Sequence, residues 1–196
     1  MRINEIFYSI QGEGHHAGTP AIFIRLQGCN LKCKFCDTNH QEGKEFTFDM
    51  ILTKIREYNT KTIVITGGEP LVHYNELKKL VRTLKLHNYR IHLETNGTIA
   101  ISDEFANQLD WITCSPKFEF AKGGEMKLQH YDEIKVIYNG QNLNCYESFF
   151  KDKHVKMFLQ PMETNKENNI EKTIKKVKED PRWRLSIQLH KMLKIQ

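Results

Sequence analysis

Short, dense runs of apolar residues recur along the chain and are separated by more polar stretches. Runs of this kind that are rich in isoleucine and valine are typical of strands buried in a sheet. Residues 3–10 predict a short extended lead-in to the first of them. Strands are predicted at residues 21–26, 62–66, 90–94, 111–114, 133–138, 155–159 and 184–187.

Helical periodicity occupies several stretches between these strands. Residues 47–58 and 75–86 carry apolar side chains three and four positions apart, and further helices are predicted at 103–108 and 166–179. Strands that alternate with helices indicate βαβ units and a parallel sheet. A complete eight-unit barrel usually takes at least about 200 residues. The 196 residues therefore predict an α/β fold, an open partial (β/α) barrel of about six parallel strands that forms a single domain, residues 1–196.

Polar and glycine-rich motifs follow the predicted strands directly. Ligands bind at the carboxyl ends of the strands in a parallel α/β sheet, so these motifs are expected to surround one mouth. Residues 118–130 predict a loop to which no function is assigned. The motifs lie at residues 28–38, 67–70, 94–97, 115–117, 160–162 and 188–190.

Composition and charge narrow the classes of partner. With 39% hydrophobic and 27% charged residues, the chain is ordinary for a globular protein. The formal net charge of +5 is dispersed, which argues against a nucleic-acid partner and suits an acidic small molecule or an acidic carrier protein. No apolar stretch approaches the roughly eighteen residues of a membrane span, and no signal segment is recognisable. We therefore expect no membrane partner and a cytoplasmic location.

Three of the five cysteines, Cys29, Cys33 and Cys36, form a C-x3-C-x2-C pattern in which Phe35 precedes the last. Three thiolates are one ligand short of a closed zinc site or a fully ligated iron–sulfur cube. A cube held by three cysteines keeps one iron open for a substrate or cofactor. The alternatives are a zinc site completed by a ligand such as His40, redox thiols, or a chance cluster.

Two polar features precede the cysteines. The glycine-rich segment 11–14, which contains Gln11 and Glu13, allows a sharp bend or a close approach to a ligand, although it also suits a simple hairpin turn. Arg25 is embedded in an apolar strand, where an unpaired charge is costly. It either pairs with an internal carboxylate such as Glu13 or binds a substrate carboxylate.

The cysteine motif, together with Gly67-Gly68-Glu69-Pro70 after the second buried strand, resembles the radical S-adenosylmethionine (SAM) superfamily. Further motifs, taken in chain order, make the resemblance more specific. Over nearly its whole length the chain resembles the 7-carboxy-7-deazaguanine synthase family. The motifs are Gln11-Gly12-Glu13-Gly14, Arg25-Leu26-Gln27-Gly28-Cys29, Cys36-Asp37-Thr38, Ser115-Pro116-Lys117, Gln160-Pro161 and the segment from Leu185 to Lys191.

The resemblance implies a carbon–nitrogen lyase of the radical SAM type. Such an enzyme converts 6-carboxy-5,6,7,8-tetrahydropterin to 7-carboxy-7-deazaguanine with loss of ammonia, in the biosynthesis of queuosine and other 7-deazapurines. Cys29, Cys33 and Cys36 would hold a [4Fe–4S] cluster. Contacts to SAM are implied for Gly67, Gly68, Glu69, Glu94, Thr95, Asn96, Ser115, Pro116, Lys117 and Gln160. Contacts to the pterin are implied for Ile10, Gln11, Gly12, Glu13, Arg25, Thr66 and His190.

The same resemblance implies a Mg2+ ion at Thr38, a homodimer, and a flavodoxin or ferredoxin as electron donor. A hydroxyl group together with substrate oxygens and waters suits this hard cation. Read without the resemblance, Thr38 is more simply a loop-capping hydroxyl. Two other functions stay open at this point: a different radical SAM enzyme, such as a glycyl-radical activase, and a non-enzymatic zinc-binding module.

Overall fold

The computed structural model describes residues 1–147, 155–163 and 169–196. Within these residues a nine-stranded sheet runs in the order β3-β1-β2-β4-β5-β6-β7-β8-β9. The strands are β1 (Arg2–Ile10), β2 (Pro20–Leu26), β3 (Lys44–Glu45), β4 (Thr62–Gly67), β5 (Arg90–Thr95), β6 (Trp111–Cys114), β7 (Glu133–Tyr138), β8 (Lys156–Pro161) and β9 (Arg184–Leu185).

The helices connect these strands and are mostly short. Thr47 begins the first one, since its hydroxyl accepts the N–H of Met50 at 3.2 Å, a standard capping arrangement. Within the described part of the chain, no helix has the length and apolar character needed to cross a membrane. The helices are α1 (Phe48–Ile55), a 3-10 helix (Pro70–His73), α2 (Tyr74–Leu86), α3 (Asp103–Ala106), α4 (Asn144–Glu147), α5 (Asn169–Glu179) and α6 (Leu189–Leu193).

Seven neighbouring strands, β2 and β4 to β9, run parallel to one another. The predicted α/β class with a mainly parallel sheet is confirmed, and the seven parallel strands correspond to the seven apolar runs predicted as strands. The lead-in predicted at residues 3–10 is a full strand that pairs antiparallel with β2. Its polar residues hid this pairing, because β1 buries only part of its length.

Several boundaries differ from the sequence expectations. The helix expected at 47–58 ends at Ile55, and the one expected at 103–108 ends at Ala106. Residues 166–168 of the last predicted long helix lie outside the described residues. Within the described residues, α5 begins at Asn169. The sequence analysis did not predict β3, the 3-10 helix, α4 or α6, because each has five residues or fewer and little periodicity to detect.

The two faces of the parallel sheet have different surroundings. One face carries fully buried residues such as Ile24, Ile65 and Leu93, which pack with the apolar sides of α1, α2 and α3 in one core cluster. Successive side chains on a strand point to opposite faces. The neighbours Arg25 and Glu94 therefore face the other side, where they line a cavity. The helices cover the apolar face and leave the polar face open.

The loop between β1 and β2, residues 11–19, lies against the polar face of the sheet. The Gly14 N–H donates to the Ser186 hydroxyl at 3.1 Å, beyond β9. Only two positions later, the His16 ring lies 4.4 Å from the ring of His92 on β5. Positions this close in sequence reach strands that lie far apart in the sheet order. The sheet therefore curves around the loop, as expected of a partial barrel.

Aromatic rings fill the floor of this concave face. His15 stacks on Trp111 at 4.9 Å, and the edge of His16 meets the same indole at 4.6 Å. Burial, and to a smaller extent the neighbouring His16, lower the pKa of His92 to about 4. The His92 ring is therefore uncharged at neutral pH.

The packing of α2 on the helix-covered face of the sheet leads to a prediction about stability. Leu80 on α2 is fully buried in the core, whereas Leu86 at the end of the same helix is 82% exposed. Leu80→Ala should lower the free energy of unfolding by about 2–5 kcal/mol, because it leaves a cavity that the core cannot refill. Leu86→Ala should change it by less than about 0.5 kcal/mol. Urea denaturation followed by circular dichroism measures both, and equal losses would contradict this packing.

Candidate active site

A cavity of about 970 Å³ opens at the carboxyl ends of the parallel strands. Three of the predicted site residues, Glu69, Thr95 and Pro116, are buried outside its lining, so their roles as cofactor contacts stay predictions. The others line it: Ile10, Gln11, Gly12, Glu13, Arg25, Cys29, Cys33, Cys36, Thr38, Thr66, Gly67, Gly68, Glu94, Asn96, Ser115, Lys117, Gln160 and His190.

The loop with the three cysteines begins where β2 ends and lies directly on the end of β4. The Glu69 N–H donates to the Gly28 carbonyl at 2.9 Å. A Cβ on Gly68 would overlap that same carbonyl oxygen and would lie 2.7 Å from the Cβ of Cys29. Only glycine allows the two loops to approach so closely, and this approach brings Cys29 beside the end of the neighbouring strand.

The three cysteines have the chemistry that a metal cluster needs. All three are free thiols on the cavity wall. Burial raises the pKa of Cys29, and the neighbouring Cys33 and Cys36 raise it further. Because like charges repel, a cationic centre would stabilise neighbouring thiolates in the ionised form that binds metal. A [4Fe–4S] cluster therefore fits these residues.

A single metal ion fits them less well. In the described part of the chain, no group of three or more His, Cys, Asp or Glu side chains is placed to hold one ion. The alternative zinc centre completed by His40 would need such a group.

Glu69 joins the ends of β4 and β5 from behind the cavity wall. Its carboxylate accepts the N–H of Leu71 at 3.0 Å, the N–H of Asn96 at 2.6 Å and the hydroxyl of Thr95 at 2.8 Å. Burial raises the pKa of this carboxyl group, and these hydrogen bonds partly offset the effect. The Glu69 side chain thereby fixes the position at which Asn96 reaches the cavity.

A second set of hydrogen bonds ties the cysteine loop to β5. The Asn96 amide donates to the Asn30 side-chain oxygen at 3.1 Å, and the Asn30 amide donates to the Thr98 hydroxyl at 2.7 Å. Asn30 directly follows Cys29 in the chain. Together with Glu69, these contacts hold the loops after β2, β4 and β5 in one rigid wall.

Lys117 extends this wall on the far side. Its ammonium group donates to the Ser115 hydroxyl and carbonyl, each at 2.6 Å. Burial lowers its pKa, whereas the nearby Cys33 and Cys114 thiols act in the opposite direction. Farther along this loop, the Phe120 ring meets the edge of Phe35 at 5.1 Å. Residues 118–130, which had no assigned role, therefore pack in part on the cysteine loop.

Arg25 pairs with a carboxylate of the chain, which is one of the two alternatives predicted, but the partner is Glu5 and not the example Glu13. Its Nε donates to Glu5 at 2.7 Å. The reason is strand register, since Glu5 lies directly opposite Arg25 in the antiparallel β1–β2 pair. The guanidinium group also lies 5.8 Å from the centre of the Phe7 ring, and it faces the cavity.

A charged cluster, which the sequence analysis missed, forms the inner wall. Lys135 on β7 pairs with Glu13, and with Glu94 at 3.5 Å. Gln11 donates to the other oxygen of Glu94 at 2.8 Å. The signal was present in the sequence, because Lys135 stands between Ile134 and Val136 in an apolar run, as Arg25 does in β2.

The remaining predicted residues lie at the rim. Thr38 follows Cys36 and is half-buried, with Asp37 beside it. Asp37 accepts a hydrogen bond from Lys191 at 2.5 Å, which links the cysteine loop to α6. On α6, His190 packs so closely on Gly12 that a Cβ on that glycine would overlap its ring. The structure thus brings Thr38 and His190 to the same cavity from opposite ends of the chain.

Comparison with known proteins assigns this architecture. The profile of the Radical SAM superfamily matches residues 23–117, from β2 to the Ser-Pro-Lys motif. The chain is 43% identical to a 7-carboxy-7-deazaguanine synthase of Bacteroides thetaiotaomicron, over 99% of this chain and 98% of that protein. A synthase of the same name from Haemophilus influenzae is 34% identical over 100% of this chain and 94% of its own length.

Solved structures agree with these sequence matches. The structure of QueE from Escherichia coli matches with a TM-score of 0.78 and 28% identity, covering 96% of this chain and 94% of that one. A structure of TYW1 with a lysine-pyruvate adduct bound matches with a TM-score of 0.53 at 13% identity, which is evidence for the fold alone.

The hydrogen bonds of Glu69 predict the effect of an amide in its place. Glu69→Gln removes the cost of burying a charge, but it turns one acceptor into a donor that faces the N–H of Asn96 or Leu71. An unsatisfied buried group of this kind costs about 1–3 kcal/mol of unfolding free energy. Glu104→Gln, at an exposed position on α3, should change it by less than about 0.5 kcal/mol. Chemical denaturation compares the two, and a stable Glu69→Gln variant would reject this role.

Proposed function

We infer the activity of this chain from its family: it belongs to the 7-carboxy-7-deazaguanine synthases of the radical SAM superfamily. It is an enzyme that converts 6-carboxy-5,6,7,8-tetrahydropterin to 7-carboxy-7-deazaguanine with loss of ammonia, on the route to queuosine and other 7-deazapurines. The observation that carries this conclusion is the 43% identity over 99% of the chain. The cavity supports it, because the cysteine loop and a polar, charged wall face one another across it.

The cofactors follow from the superfamily. Cys29, Cys33 and Cys36 would hold a [4Fe–4S] cluster, which together with bound SAM would supply radical chemistry. The chain's own task is to bind and orient the reactants and to exclude water and other quenchers. The aromatic floor under the cavity, made by residues such as His16 and Trp111, serves that exclusion.

We propose that the wall formed by the loops after β2, β4, β5 and β6 binds SAM. The glycines at 67 and 68 expose the backbone of the β4 end, which suits hydrogen bonds to the methionine amino group. Lys117 and Ser115 offer a cation and a hydroxyl for a carboxylate or a ribose. Asn96 and Glu94 add polar contacts from β5, and Gln160 adds one from β8. Glu69, Thr95 and Pro116 support this wall from behind.

We propose that the opposite wall binds the pterin. Its ring edge presents N–H donors and a carbonyl acceptor, which match the carboxylate of Glu13 and the amide of Gln11. Arg25 would pair with the substrate carboxylate, since Glu5 engages only its Nε in the structure and the guanidinium faces the cavity. Thr66 and His190 complete the contacts. Ile10 and Gly12 contribute the adjoining surface of the loop.

Mg2+ is proposed to bind at Thr38, with substrate oxygens and waters as its other ligands. One hydroxyl is a modest protein contribution, which is usual for this cation. Thr38 supports the proposal by its place on the cavity rim, next to the cysteine loop. Asp37 is already held by Lys191 at 2.5 Å. That pairing leaves the threonine as the better candidate ligand of the two.

We further propose a single catalytic domain, a homodimer, and a flavodoxin or ferredoxin as the electron donor. Cys36 is exposed, so an electron carrier can approach the cluster from that side. Lys32 and Lys34 are exposed on the same loop and suit an acidic carrier. Exposed apolar residues on α6, Met192 and Leu193, provide surface of the kind that a second copy would cover.

The activity is tested by anaerobic turnover. Purified protein is reconstituted with iron and sulfide, which should give about four irons per chain. It is then mixed with SAM, a reductant, Mg2+ and 6-carboxytetrahydropterin, and the products are read by mass spectrometry. We expect a 7-carboxy-7-deazaguanine peak. Slow 5′-deoxyadenosine release that is unaffected by the pterin would retain the radical chemistry and reject this substrate.

Two cysteine variants control the same experiment. Cys29→Ala should lose the cluster and all turnover while its circular dichroism spectrum stays that of a folded protein. Cys145→Ala should retain both, since that thiol is exposed and does not line the cavity. Turnover by Cys29→Ala would contradict the assignment of the cluster, and loss of activity in both variants would point to a general effect of removing a thiol.

A further inference from the structure

Lys135 is a charged residue inside a strand that is otherwise buried. On β7 it stands between Ile134 and Val136, both of which are fully buried in the helix-covered core. Its own side chain points to the opposite face and is only 5% exposed. An ammonium group so deeply buried is costly unless anions surround it, so its partners indicate why it is there.

Two carboxylates surround it. Lys135 Nζ donates to Oε2 of Glu13, and to Oε2 of Glu94 at 3.5 Å. Oε1 of Glu13 accepts side-chain amides from Gln160 at 3.1 Å and from Gln188 at 2.9 Å. One lysine therefore joins the loop after β1 to β5, and the amides extend the network to β8 and the segment before α6.

The charges of this network depend on the lysine. Burial by itself raises the pKa of the Glu13 carboxyl group. The positive charge of Lys135 and the hydrogen bonds from Lys135 and Gln188 reverse this, so the pKa of Glu13 lies below its ordinary value. Burial lowers the pKa of Lys135, but the nearby carboxylates outweigh it and raise the pKa overall. Both groups are therefore ionised at neutral pH.

The other titratable groups around the pair come from four elements. Glu94 faces it from β5 and Glu133 from β7 itself, while Lys117 follows β6 and His190 lies on α6. Burial raises the pKa of Glu133 and the charge of Lys135 partly offsets this effect, so that the pKa is about 6. No other lysine or arginine in the described residues forms an ion pair with Glu13 or Glu94. Replacing Lys135 therefore leaves the two carboxylates without their shared cation.

We propose that Lys135 is a positioning residue for substrate recognition, which holds Glu13 ionised and aimed at the N–H donor edge of the pterin. The inference rests on the proposed function and adds the residue that maintains its pterin wall. An ionised carboxylate accepts hydrogen bonds from adjacent N–H groups, whereas a protonated one loses an acceptor site. Without Lys135, burial is unopposed and Glu13 takes up a proton at a higher pH.

Lys135→Met tests this with a neutral side chain of similar length. We expect kcat/KM for the pterin to fall on the order of 100-fold, mainly through KM, because a buried charge pair is broken. The acid limb of the pH profile of kcat/KM should move to higher pH. The affinity for SAM should change far less than the KM for the pterin, because the SAM contact Glu94 pairs with Lys135 only at 3.5 Å and keeps its hydrogen bond from Gln11. Lys156→Met, an exposed lysine at the start of the neighbouring β8, is the matched control and should leave all three quantities unchanged.

Lys135→Arg retains the charge and decides the matter if Lys135→Met does not fold. It should keep the acid limb where the unchanged protein has it, even if the bulkier guanidinium weakens binding. A limb displaced in Lys135→Arg, or a loss in Lys135→Met that is equal at every pH and leaves KM unchanged, would overturn the proposal and indicate a purely structural lysine. Failure of the proposed function is distinguishable, because then the unchanged protein itself would form no 7-carboxy-7-deazaguanine.

Discussion

The close approach of two strand ends is the constraint on which the rest of the site depends. The loop after β4 packs on the loop after β2 at Gly68, where a methyl group would overlap the backbone carbonyl of Gly28. The Glu69 N–H makes the contact a hydrogen bond of 2.9 Å, and the Glu69 carboxylate continues it to β5. Because Cys29 follows Gly28 at once, the cluster-binding loop is located by this contact.

The two faces of the parallel sheet have different roles. Alternation along each parallel strand places isoleucines, leucines and valines against the helices and charged or polar groups in the cavity. The stability of the domain then resides on one side, where packing tolerates little change. The chemistry resides on the other, where Lys135 and its two carboxylates balance charges that the apolar core could not accommodate.

Much of this was predictable from the sequence because it depends on local pattern. Apolar runs predicted the parallel strands, and the polar motifs at their carboxyl ends predicted the position of the cavity. Register between distant segments was not predictable. Arg25 pairs with Glu5 because β1 lies antiparallel beside β2, a pairing that the mixed polarity of β1 concealed. Lys135 was passed over for a similar reason, since its carboxylate partners come from a loop and a strand far away in the chain.

If the approach of Gly68 to Gly28 creates the site for the cluster and SAM, a side chain at position 68 should weaken the binding of both. Gly68→Ala is reconstituted anaerobically, and its iron content and SAM affinity are compared with those of Gly123→Ala. At Gly123 a Cβ meets no atom within 4 Å, and the φ of 80° makes alanine locally strained, so this control carries backbone strain without the steric overlap. We expect Gly68→Ala to fold but to lose most of its iron and its SAM binding, whereas Gly123→Ala should retain both. Full iron and unchanged SAM affinity in Gly68→Ala would contradict it.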